Sequence, residues 1–107
     1  MPHIIAEYSN NLESTVDISA LVKDLHQALS AQGIDAARIK SRAIKINHFV
    51  AGDKEAMLHV TLLLLEGRDL ETKKKYGDAL YACAKKYVSN CAVTLEIRDM
   101  VKDTYYL

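Results

Sequence analysis

The chain has 107 residues, 50% of them hydrophobic and 26% charged, with 14 Lys+Arg balancing 14 Asp+Glu. This length and composition predict one soluble globular domain over 1–107 with a modest core, and they argue against intrinsic disorder. A formal net charge of zero gives no general attraction to nucleic acid or to an anionic membrane, so any charged ligand has to be held by local groups.

The longest apolar run, VTLLLL, is far too short to span a bilayer. The amino terminus has no basic region followed by a long apolar segment, so a cytoplasmic protein is expected. Cys83 and Cys91 stand apart from any Cys-x-x-Cys or Cys/His cluster, which predicts two small free thiols and no zinc site or disulfide framework.

In chain order, HIIAEY reads as a first strand and NNLESTVD as a polar turn. Ile18, Leu21, Val22, Leu25 and Leu29 then fall on one helical stripe, with Asp17 as N-cap and Gly33 just past the end. RIKSRAIKIN alternates as a second strand, Ile44 and Ile46 on one face and Lys45 and Asn47 on the other. After the loop HFVAGDKEA comes MLHVTLLLL, a third strand that is apolar on both faces and therefore central.

EGRDLE leads into a second helix, in which Leu70, Gly77, Leu80, Ala84 and Val88 share a stripe. Lys73, Lys74 and Lys75 read as a solvated helix face. Tyr76, Tyr81 and Tyr87 read as helix-to-sheet packing, CAVTLEIRD as a fourth strand, and TYYL as an apolar tail. His3 and His59 read as packed or satisfied strand residues, and neither His26 nor His48 has a metal-ligand partner at suitable spacing.

Aligning HIIAEYSNNLE with HVTLLLLEGRDLE places His3 on His59 and exposes a doubled unit, with halves over about 2–50 and 57–107. Each half is strand, helix, strand, which joins parallel strands by a right-handed crossover. The expected fold is an α/β (α+β two-layer) domain of tandem β-α-β units: a four-stranded mixed sheet with two helices on one face. A chain this small has nothing left to cover the other face, which implies burial against further copies.

Pro2 follows the initiator methionine and admits two readings. Proline is tolerated as the first residue of a strand because its missing N–H is not needed there. If Met1 is removed, the same residue carries a free secondary amine, a possible general base. The matching position in the second half, Leu58, lies inside the chain, so only one half can carry such a base.

MPHIIAEYSNN, GIDAARIKSR and HVTLLLLEGRDLETKK together resemble the tautomerase superfamily, and within it the 5-carboxymethyl-2-hydroxymuconate isomerase family, over roughly residues 2 to 90. The resemblance implies a homotrimer and an isomerase that moves a proton within an unsaturated 2-hydroxy or 2-oxo carboxylic acid, with no cofactor and no metal. It assigns the base to Pro2 and matches Arg42 and Arg68 to family arginines. Lys40 departs from the family's arginine-serine-arginine pattern, Glu13 replaces a basic residue, and the shorter chain is expected to open the pocket. A lapsed binding or structural trimer on the same fold is the alternative function.

The chemistry suits these residues. Proton transfer through an enol needs a base that is neutral at working pH, and a free α-amine, normally near pKa 8, is lowered by desolvation and by neighbouring cations. Lys40 and Arg42 are two apart on a strand and so share a face, where they could hold a small carboxylate substrate. Arg68 precedes the second helix, whose amides also favour an anion.

Overall fold

The computed structural model describes residues 1–107. Strand β1 (His3–Ser9) leads through a turn at Asn10–Ser14 into helix α1 (Ile18–Ser30), and strand β2 (Lys40–Ile46) closes the first unit. The second unit is β3 (Ala56–Leu65), α2 (Leu70–Lys85) and β4 (Cys91–Met100). Both helices start at an aspartate, as orphan amides require. The Asp17 carboxylate accepts from the Ala20 N–H at 3.1 Å, and Asp69 accepts from the Thr72 N–H at 2.8 Å.

The strands form one mixed sheet in the order β2-β1-β3-β4. β1 and β2 are parallel, β3 and β4 are parallel, and the two units meet through an antiparallel ladder between β1 and β3. The third strand is therefore central, as its two apolar faces predicted. Ile4, Leu58, Val60, Leu62 and Leu64 point toward the helices and are at most 1% exposed. They meet Leu21, Leu25, Leu29 and Leu80 in a single core. Each such side chain contributes about 1.5–3 kcal/mol through its removal from water.

Alternation sends the neighbouring residues to the opposite face. There Ile5, Ile44, Met57, Leu63 and Leu65 remain partly exposed, with both helices on the far side of the sheet. Cys83 and Cys91 are free and buried. No helix is long and apolar enough to cross a membrane.

Three local details differ from the sequence reading. The polar NNLES segment is a one-turn helix that buries Leu12, because a single apolar residue in a turn is enough to anchor it. Of the tyrosines on α2 and just after it, Tyr76 is buried at 8%, Tyr81 is 40% exposed, and the Tyr87 hydroxyl donates to Asp24 of α1. The helical period explains the split: residues 76, 80 and 83–84 face the core, whereas 81 is rotated off that stripe. Of the three lysines, Lys73 is tied back to Asp99 of β4 at 3.2 Å.

Gly77 lets α2 approach β4 closely, since a Cβ built on it would sit 3.1 Å from Ile97 Cδ1. A branched side chain there would overpack the helix–sheet seam. Gly77→Val is expected to lower the unfolding free energy by about 1–3 kcal/mol in urea titration, with the helical content of the native state unchanged.

Candidate active site

Sheet topology gathers the chemistry at one end. β1 and β2 begin there, because His3 pairs with Lys40 in a parallel ladder. β3 and β4 finish there, because Leu63 lies opposite His3 and Leu65 opposite Met100. The start of the chain, the start of β2, the loop carrying Arg68 and the segment after β4 thus share one rim.

Hydrogen bonds hold these pieces together. The Lys40 N–H donates to the Pro2 carbonyl at 2.9 Å, and the Glu66 N–H donates to the Met100 carbonyl at 3.0 Å. The Lys102 N–H in turn donates to Glu66 Oε2 at 2.6 Å. Tyr105 reaches back across the whole chain to His3, with Oη 2.7 Å from Nε2.

Pro2 is buried, and strand alternation sets it on the helix side with Ile4 and Ala6. The amino group of Met1 is held below its ordinary value, first by desolvation and then by the guanidinium charges of Arg68 and Arg38. Arg68 is positioned by its place just before the Asp69 cap and by the Tyr76 ring, whose centroid lies 5.8 Å from its guanidinium carbon. A cation over an aromatic face in this way keeps its charge while its stem is held.

His3, Lys40 and Arg42 occupy the other face of the same rim. Arg42 Nη1 lies 3.2 Å from His3 Nδ1. A guanidinium only donates, so Nδ1 is the bare nitrogen and Nε2 carries the proton. Nε2 then donates to Tyr105, which leaves the phenolic hydrogen available to a ligand oxygen. Desolvation, followed by the charges of Arg42, the amino terminus and Lys40, pushes the His3 imidazole below its ordinary value and keeps it neutral near pH 7.

All four residues singled out from the sequence therefore lie at one end, but in two groups. Arg68 stands with the amino terminus, while Lys40 and Arg42 stand with His3. Glu13 lies at the opposite end of β1, bonded to Tyr8 at 3.1 Å and to Lys45 at 3.3 Å. No cluster of His, Cys, Asp and Glu side chains is arranged to hold a metal ion.

Three members of the rim escaped sequence reasoning. Arg38 looked like a strand residue but ends the turn Ala36–Arg38 that leads into β2. His3 is satisfied as expected, yet by Arg42 and Tyr105, and its place directly after Pro2 was the available signal. Tyr105 had none, because its partner is 102 positions away.

A family model described as 5-carboxymethyl-2-hydroxymuconate isomerase matches residues 2–106. The chain is 32% identical over 91 residues to the 5-carboxymethyl-2-hydroxymuconate Delta-isomerase of Escherichia coli, covering 81% of this chain and 72% of that protein. Among solved structures, a 5-carboxymethyl-2-hydroxymuconate isomerase from Deinococcus radiodurans R1 superposes with a TM-score of 0.84 at 26% identity, covering 99% of this chain and 87% of that one. A fused 4-OT solved as a symmetric trimer shares the fold at 14% identity, with a TM-score of 0.72 over 94% of this chain and 88% of that one. The chain belongs to the 5-carboxymethyl-2-hydroxymuconate isomerase family and is an isomerase.

Proposed function

We propose that this isomerase moves a proton within an unsaturated 2-hydroxy or 2-oxo carboxylic acid, using the nitrogen of Pro2, freed by removal of Met1, as general base and no cofactor. The observation that carries this reading is the burial of Pro2 at a rim where Arg68, Arg38, Lys40 and Arg42 converge on the amino terminus and on His3.

While Met1 is present, the Pro2 nitrogen is an amide and has no basicity. Its removal would put a secondary amine one residue deeper in the same field. The burial and the two guanidinium charges that lower the Met1 amine would act on the Pro2 amine in the same direction, against its protonated form. The neutral amine takes a proton from the carbon chain, and negative charge develops on the enol oxygen. Fixed cations and an uncommitted hydroxyl hydrogen from Tyr105 favour that charge without having to reorganise.

Arg68 suits bidentate capture of a substrate carboxylate, and Arg42 does the same on the other side of the rim. Lys40, a point charge on a flexible stem, adds attraction with less orientation. The proton held on Pro2 is then returned to a different carbon, which completes the shift with no net consumption of acid or base.

We further propose that the partly exposed sheet face around Ile5, Ile44, Met57 and Leu63 is covered by two more copies of the chain. A homotrimer would bury that face and complete the rim from neighbouring subunits. Free thiols accord with a cytoplasmic enzyme whose partners are a small carboxylate and itself.

Intact mass of the purified protein is expected to lack Met1, and Pro2→Ala is expected to cut kcat/KM for ketonisation of a 2-hydroxydienoate by about 10²-fold or more. Equal rates in the two proteins would remove Pro2 from the mechanism. In wild type, kcat/KM should rise with pH as the Pro2 amine loses its proton and then level off, because only the neutral form is a base. Arg68→Gln removes one charge that opposes protonation, so that ascending limb should shift to higher pH while KM increases. Light scattering should give the mass of three chains.

A further inference from the structure

Beside the rim, and sharing Lys40 with it, a cavity of about 470 Å³ opens between α1 and the outer strand β2, lined by Lys23, His26, Gln27, Lys40 and Ser41 over the buried Ile39. Two short contacts order its chemistry. His26 Nε2 is 3.0 Å from the Ala36 carbonyl oxygen, and His26 Nδ1 is 2.7 Å from Ser41 Oγ. A carbonyl only accepts, so in the neutral ring Nε2 carries the proton and Nδ1 presents its lone pair. Ser41 therefore donates its hydroxyl hydrogen to Nδ1. Nucleophile, base and a group that orients the base stand in sequence, which is the arrangement nucleophilic catalysis by serine requires.

The backbone adds a donor. Lys40 turns its N–H to the Pro2 carbonyl on β1, and successive residues of a parallel ladder face alternate sides. Because β2 is the outermost strand, the Ser41 N–H points to the free edge beside its own Oγ, placed to meet charge on a carbonyl oxygen. Lys23 and Lys40 supply positive charge at the mouth.

We propose that Ser41 and His26 form a second reactive centre, a serine nucleophile with a histidine base, that takes small carboxylic esters bearing an anionic group. The Oγ–carbon bond forms as the hydroxyl proton passes to His26 Nδ1 and the carbonyl electron pair moves to oxygen. That pair returns, the ester carbon–oxygen bond breaks, and the alcohol leaves with the proton from Nδ1. Water then attacks the acyl-serine with the same nitrogen as base, which releases the carboxylic acid and restores Ser41. The centre is independent of Pro2 and uses only ester and water.

The test compares p-nitrophenyl acetate with the mono-p-nitrophenyl ester of succinic acid, following p-nitrophenolate release and mapping adducts by peptide mass. The expected result is a hydroxylamine-labile acyl group on Ser41, formed several-fold faster from the anionic ester, with that preference weakening as salt is added. His26→Gln should slow release by about 10²-fold, and Ser41→Ala should abolish the adduct. Circular dichroism and thermal melting of each variant establish that it is folded, and Ser41→Ala, which removes one oxygen, decides the matter if His26→Gln is not. Adducts confined to lysines or the amino terminus, release undiminished in Ser41→Ala, or no release at all would overturn the proposal.

Discussion

The antiparallel ladder between β1 and β3 is the constraint from which the rest of the molecule follows. Each β-α-β unit is parallel within itself, so its two strands start together and finish together. Joining the units head to tail along β1 and β3 makes the starts of one pair coincide with the finishes of the other. Had the central strands paired in parallel, Pro2 and the Arg68 loop would lie at opposite ends of strands some 20 Å long. The same ladder places the most apolar strand in the middle of the sheet.

The site that results is electrostatic in character although the chain is neutral overall. Cations from a turn, a strand and a loop are brought toward the amino terminus, while the acidic side chains are committed to other partners. Asp17 and Asp69 cap helices, Glu13 pairs with Lys45 at the far end, and Asp99 holds Lys73. Local excess of one sign at a partly desolvated spot is what displaces a pKa, and net charge says nothing about it. His3 feels this field as well, and its neutral form passes the influence of Arg42 to Tyr105 through two hydrogen bonds.

Strand β2 divides two kinds of surface. One face of its first residues looks toward His3 and the rim, and the other looks toward α1, where Ser41 meets His26. Lys40, at the head of the strand, acts on His3 and also lines the cavity against α1. An edge strand with one unpaired side is a natural place for this, because its outward amides remain free for a ligand or for another chain.

How much was legible in advance depended on the range of the interaction. Helix limits followed from the stripe of Leu21, Leu25 and Leu29 with its Asp17 cap. The central position of β3 followed from its two apolar faces, and the doubling of the unit followed from the likeness of its halves. The family resemblance singled out Pro2, Lys40, Arg42 and Arg68, and the fold brings all four to one end of the sheet. Periodicity, however, encodes only which face of its own element a residue occupies; it is silent on what another element places beside it. That Arg38 rather than Lys40 would join Arg68 near the amino terminus, that Tyr105 would return to His3, and that His26 would meet Ser41 were decided by register and by packing of helix on sheet, which bring together residues that no local pattern relates.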